Sequence, residues 1–225
     1  MSRVQHLLGS LVGKKVVMAA TGVILLGFVL AHMAGNLKVF QGPEHFNAYA
    51  EGLRTVGAPF FGRGQLLWAA RIILLVAVGL HIWAAWAVTR ASWAARPDGY
   101  KRLELVETTY AARTMRWGGL LIVLYVVYHL LDLTFGKANP SFVPGDVYHN
   151  LIASFSRAPV AIAYIAAMLV LAFHMYHGIY SAFQTLGLNH PKYNRWRRPI
   201  AAGYTLVVTA GFIVVPIAVL AGVVR

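Results

Sequence analysis

The stretch VLAFHMYHGIYSAF, residues 170–183, decides how this chain is read. It is apolar enough to lie in lipid, yet it carries two histidines, His174 and His177. An imidazole moved into hydrocarbon loses its water and needs a partner, so its presence there points to a site. Outward from this stretch the same combination recurs: His32, His81 and His129 each fall inside another long apolar run. The remaining histidines, His6, His45, His149 and His190, fall in the tail or in connecting segments, where solvation is the default.

Of the 225 residues, 59% are hydrophobic and only 12% are charged. Soluble domains carry about 25% charged residues, so lipid is the solvent that fits. A helix needs about 20 apolar residues to cross a hydrocarbon layer of roughly 30 Å. Five stretches qualify, at about 16–38, 66–89, 117–136, 159–184 and 200–223. QGPEHF, RPDGYK, GKANPSFVPGD and NHPKYNRWRRP break them apart with turn residues. The expected fold is an all-α membrane protein, residues 1–225 forming a single integral membrane domain. The first run is too long for a signal peptide and lacks a small-x-small cleavage site, so we read it as a retained helix.

A net charge of +13 suggests nucleic acid at first sight. The basic residues cluster beside the apolar runs, however, which is what membrane orientation requires, and no nucleic-acid partner is expected. Thirteen of the Lys and Arg residues fall in the N-terminal segment, the 90–116 connection and the 192–198 connection, against seven on the other side. That bias places the N-terminus in the cytoplasm. Cysteine is absent, which excludes disulfides, thiolate-held clusters and covalent haem attachment within the chain.

Depth sorts the histidines. At 1.5 Å per residue, His32 and His129 lie roughly 25 and 18 Å from the cytoplasmic ends of their helices, and His81 and His177 about 10–12 Å. Two imidazoles facing each other across a bundle suit the iron of a b-type haem. The first four helices are therefore expected to form a bundle around two haems, with His32 and His129 on the outer iron and His81 and His177 on the inner. His177 is preferred to His174 because Gly178 opens room for a ring; His174 would then donate to a propionate or line the pocket. Arg71, Arg113, Arg116, Lys14 and Lys15 sit near span ends as candidate propionate partners.

SLVGKKVVMAATG at 10–22, HMAGNL at 32–37, RIILLVAVGLHI at 71–82, RTMRWGGLLIVLYVVYHLLDLTFG at 113–136 and HMYHGIYSAFQTLGLNH at 174–190 are similar to one family. In order and spacing the chain resembles the cytochrome b membrane anchor of succinate:quinone oxidoreductases and fumarate reductases, of the single-chain, five-helix, two-haem type. The resemblance implies a bacterial cytoplasmic membrane, flavoprotein and iron–sulfur partner subunits on the cytoplasmic side, and quinone, usually menaquinone, as substrate. It also implies the same four haem ligands, and higher oligomers are compatible with it. In the fumarate reductase branch an acid in the first loop serves the quinone, a role that Glu51 is placed to take. That branch also carries a glutamate two residues before the fourth ligand, where Met175 stands here, which favours succinate oxidation. Asp132, one turn beyond His129, is a second candidate for quinone protonation and a possible partner of Arg71.

Two other readings compete. Another dihaem cytochrome b, such as the anchor of a different respiratory dehydrogenase, would place its histidines at other helix positions. A transporter relaying protons through histidine would break its helices near mid-membrane, and Pro216 is the one proline deep in a span.

Overall fold

The computed structural model describes residues 9–95, 110–188 and 190–225, and the described residues are helical with no strand. Helix α1 (Leu11–Asn36) runs into a 3-10 turn (Leu37–Gln41) and is followed by the short α2 (Pro43–Thr55). Next come α3 (Gln65–Ala94), α4 (Tyr110–His129) with a π-helical continuation (Leu130–Thr134), the short α5 (Val147–Phe155), α6 (Ala158–Thr185) and α7 (Pro191–Leu220). Five of these helices, α1, α3, α4, α6 and α7, are long and apolar enough to cross a membrane. The chain is thus a multi-pass membrane protein. Large apolar side chains such as Leu75, Trp117 and Leu206 are exposed along the spans, as lipid-facing residues are.

Helix starts follow local chemistry. Ser10 caps α1, its hydroxyl accepting from the Gly13 N–H at 3.0 Å. Pro43, Pro159 and Pro191 stand in first turns, where a missing N–H costs nothing. The fifth membrane helix begins at Pro191 rather than near 200. His190 caps it, its Nδ1 accepting from the Lys192 N–H at 3.2 Å, so the basic stretch read as a connection forms the first turns of α7.

The breaks after the first and third spans also hold helix, and the two short elements close one end of the bundle together. Asn47 of α2 donates to the Asp146 carboxylate at 3.0 Å and accepts from the Tyr148 N–H at 3.0 Å, while Phe46 packs edge-on against Tyr148. Asp146 caps α5 by accepting from the His149 N–H at 2.9 Å. That bond, with the one from Asn47, holds its carboxyl below the usual carboxylate range. Gly136, in the left-handed region at φ 68°, turns the chain out of the π-helical segment, where any Cβ would collide with the Phe142 ring.

Four helices form the bundle. The close contacts run α3 to α1, α1 to α6 and α6 to α4, and α7 packs outside against α6 and α1. The diagonals α1–α4 and α3–α6 are not among these close packings. Four of the intramembrane histidines face one another across those diagonals.

Candidate functional site

Across the first diagonal, the rings of His32 on α1 and His129 on α4 lie with centroids 5.9 Å apart and planes at 87°. Aromatic side chains close round them. Phe28 stacks on His32 at 5.3 Å, and Phe212, from the helix without an intramembrane histidine, approaches the same ring at 5.9 Å. Tyr125 and Tyr164 flank His129 at 5.8 and 5.9 Å.

Across the second diagonal, the ring facing His81 on α3 is His174 on α6, at 6.2 Å between centroids and 59° between planes. This differs from the expectation of His177. A Cβ at Gly178 would meet open space, and Gly22 and Gly119 on neighbouring helices border the two paired rings. A Cβ on Gly22 would stand 3.4 Å from His81 Cε1, and one on Gly119 would stand 3.9 Å from His174 Cε1.

The polar neighbours of His81 select its tautomer. Nδ1 lies 3.0 Å from the Met18 carbonyl oxygen, which can only accept, so the ring proton is on Nδ1 and the lone pair on Nε2. Thr21 supports this arrangement, with its hydroxyl 3.2 Å from the same nitrogen and 2.7 Å from the Val17 carbonyl. In contrast, His129 Nδ1 and His174 Nδ1 are buried with no hydrogen-bond partner. Each pair thus contains one imidazole with an unsatisfied nitrogen in an apolar interior.

These observations fit a metal held between paired rings. His32 with His129, and His81 with His174, would each supply two neutral imidazole nitrogens, a donor set that iron accepts. No cluster of three or more His, Cys, Asp or Glu side chains suited to a bare metal ion occurs among the described residues. Two protein ligands per site suit an iron whose other positions a macrocycle fills.

The other candidate residues are placed as follows. Asp132 has none of its surface exposed and pairs with Arg157 at 2.8 Å, not with Arg71. It also accepts from Tyr164 at 2.9 Å and from the Ser154 hydroxyl, so its oxygens are engaged in a closed network one residue layer beyond His129. Arg71 instead lies over the Trp68 ring at 4.9 Å, and Arg116 over Trp93 at 5.3 Å, both exposed. The side chain of Arg113 and all of His6 lie outside the described residues. Glu51, on α2, is paired with Arg63 at 2.9 Å and Arg54 at 3.8 Å, with nearly half its side chain in contact with solvent. His45 and His149 are exposed. Sequence reasoning missed Thr21, Ser154, Arg157, Tyr164 and Phe212; the threonine next to Gly22 was a faint signal, and the others become neighbours only on folding.

A helical membrane protein with two histidine pairs facing across the diagonals of one bundle is the class this architecture defines. A family model described as the succinate dehydrogenase/fumarate reductase transmembrane subunit matches residues 99–215, just over half of the chain. The chain belongs to that family. The matched segment includes His129, His174 and Asp132. No curated relative and no solved structure matches the chain.

Proposed function

We propose that the chain is the dihaem cytochrome b anchor of a succinate:menaquinone oxidoreductase of the bacterial cytoplasmic membrane. It binds cytoplasmic flavoprotein and iron–sulfur subunits and delivers their electrons to membrane quinone. The observation that carries this reading is the presence of two histidine pairs, spaced 5.9 and 6.2 Å, on two diagonals of one bundle. His32 and His129 would hold one b haem and His81 and His174 the other, supplying one-electron carriers at two depths. The protein's part is orientation and exclusion of water. The Met18 carbonyl fixes the His81 tautomer and so leaves the lone pair on Nε2. Phe28, Phe212, Tyr125 and Tyr164 pack round the outer pair.

Succinate oxidation is the favoured direction. Two residues before His177 stands Met175, and two before His174 stands Ala172; neither side chain has a titratable proton. Quinone reduction consumes two protons, so its site needs a titratable group within hydrogen-bond reach. Glu51, in the outer cap and open to solvent, takes that role in this reading, while Asp132 holds its network together.

Haem extraction from the assembled complex, read as the pyridine haemochrome, is expected to give two haems per chain. His174→Ala is expected to abolish the low-spin signal of the inner haem, and His177→Ala to leave both haems six-coordinate. A stoichiometry of zero or one in intact complex overturns the dihaem reading. Loss of the inner haem in His177→Ala alone would transfer the ligand assignment to His177.

A further inference from the structure

Where α6 ends and α7 begins, Arg197 retains only 9% of its surface, and two of its guanidinium nitrogens, Nε and one Nη, are buried with no hydrogen-bond partner. Its one described contact is the face of Tyr180, at 5.2 Å, which a second guanidinium, Arg198, shares at 5.7 Å. Among the described residues no carboxylate compensates them. The three ion pairs found there use Glu51 and Asp132, which belong to the opposite end of the bundle. A buried cation that no described carboxylate pairs with is expensive, and one that lines a cavity calls for an anion there.

Arg197 does line a cavity. It measures about 530 Å³ and is walled by Phe183, Leu188, Trp196 and Ile200, with the α7 cap His190 at its rim. A second hollow of about 250 Å³ shares Phe183, Leu188 and Ile200 with the first and continues between α1, α6 and α7 as far as Leu26 and Tyr204. From Arg197 to Tyr204 the groove descends roughly 10 Å along α7. Its head is cationic, at the level where Tyr193 and Trp196 form an interfacial aromatic belt; its tail is apolar.

We propose that this groove is a binding site for an anionic phospholipid. The phosphodiester bonds the Arg197 guanidinium, and one acyl chain lies over Leu188 and Ile200 towards Tyr204. Free phosphate shares the headgroup chemistry but leaves the apolar continuation empty. An acidic side chain of a soluble partner would supply the charge but would also leave the apolar continuation empty. Basic pockets between membrane helices recognise lipid headgroups in this way.

The test uses the full chain purified in a neutral detergent, with thermal unfolding and native mass spectrometry as readouts. Dioleoyl phosphatidylglycerol is expected to raise the unfolding midpoint of the wild type and to remain bound, whereas dioleoyl phosphatidylcholine and inorganic phosphate are not. Arg197→Gln should bind phosphatidylglycerol roughly tenfold more weakly or worse, the loss of a charge-assisted contact, and Arg197→Lys should recover part of it. Ile200→Trp, which fills the groove and leaves the cation in place, should also lose the lipid; it carries the decision if Arg197→Gln fails to fold. Undiminished binding in both variants overturns the proposal, as does equal protection by phosphate or phosphatidylcholine. Cross-linking of Arg197 to a partner-subunit carboxylate in complexes depleted of anionic lipid would overturn it too, assigning the pocket to the partner.

Discussion

Asp132 is a carboxylate with no exposed surface in a membrane-spanning segment, satisfied by Arg157, Tyr164 and Ser154 together. Breaking a buried pair costs about 3–5 kcal/mol, because the survivor is left uncompensated. Arg157 keeps 32% of its side chain exposed and also donates to the Ala138 carbonyl at 3.0 Å, so its loss of partner is partly screened. Asp132→Ala is therefore expected to cost about 2–3 kcal/mol, at or below the low end of that range, measured as denaturant unfolding in detergent. A double-mutant cycle with Arg157→Ala should show coupling of about 1 kcal/mol or more; additive costs would remove the pair from the account. At this scale the sequence is half legible. An acid inside an apolar run announces that it has a partner, and that inference holds. The partner's identity is not in the pattern, because Arg157 stands at the start of α6 and reaches Asp132 only once α5 has folded back over the bundle. Arg71, the cation expected there, is held over Trp68 on its own helix instead.

Helices are legible where a single property dominates and illegible where two compete. The five spans follow from apolar length alone, since in lipid a segment must satisfy its own backbone. Helix α7 starts at Pro191 because capping by His190 outweighs the breaker look of NHPKYNRWRRP. The short α2 and α5 have no long apolar run and depend on local features at their ends, which one residue can remove. Asp146→Ala is expected to cost about 1 kcal/mol as the loss of an N-cap. The sign of its pH dependence follows from the lowered folded-state carboxyl: the contribution is present above the unfolded value and fades as pH falls through the folded one. The stability gap between wild type and Asp146→Ala should thus begin to narrow as pH falls below about 4, as read from unfolding midpoints across an acid series. Close approach between elements gives a second handle. Gly22 lets α1 pass the His81 ring, and Val at that position adds a branched side chain where even a Cβ stands 3.4 Å away. In the proposed dihaem protein, Gly22→Val should shift the inner haem's redox difference spectrum and leave the outer one unchanged; equal disturbance of both would mean that the helix pair, not the ring, had moved.

For the whole molecule, the proposed route joins two faces of a membrane. In that proposal, electrons arriving from cytoplasmic subunits would meet the His81–His174 pair first and the His32–His129 pair second, then a quinone beside the cap that carries Glu51. An electron moving outward across a membrane that is negative inside moves down the field. A full crossing gains about 2.3 kcal/mol per 100 mV, roughly a fiftyfold bias per electron. That bias is what would let succinate, a weak reductant, reduce a low-potential quinone. In energised vesicles, succinate–menaquinone activity is accordingly expected to fall several-fold when an ionophore collapses the potential, while succinate–dye activity, which ends before the membrane, stays constant. Glu51→Gln with both haems verified intact should lose quinone turnover in the same assay and keep the dye reaction. Turnover that is insensitive to the ionophore, unchanged in Glu51→Gln and lost in Arg116→Ala would place the quinone on the cytoplasmic face, where reduction crosses no field and the outer histidine pair lies off the route.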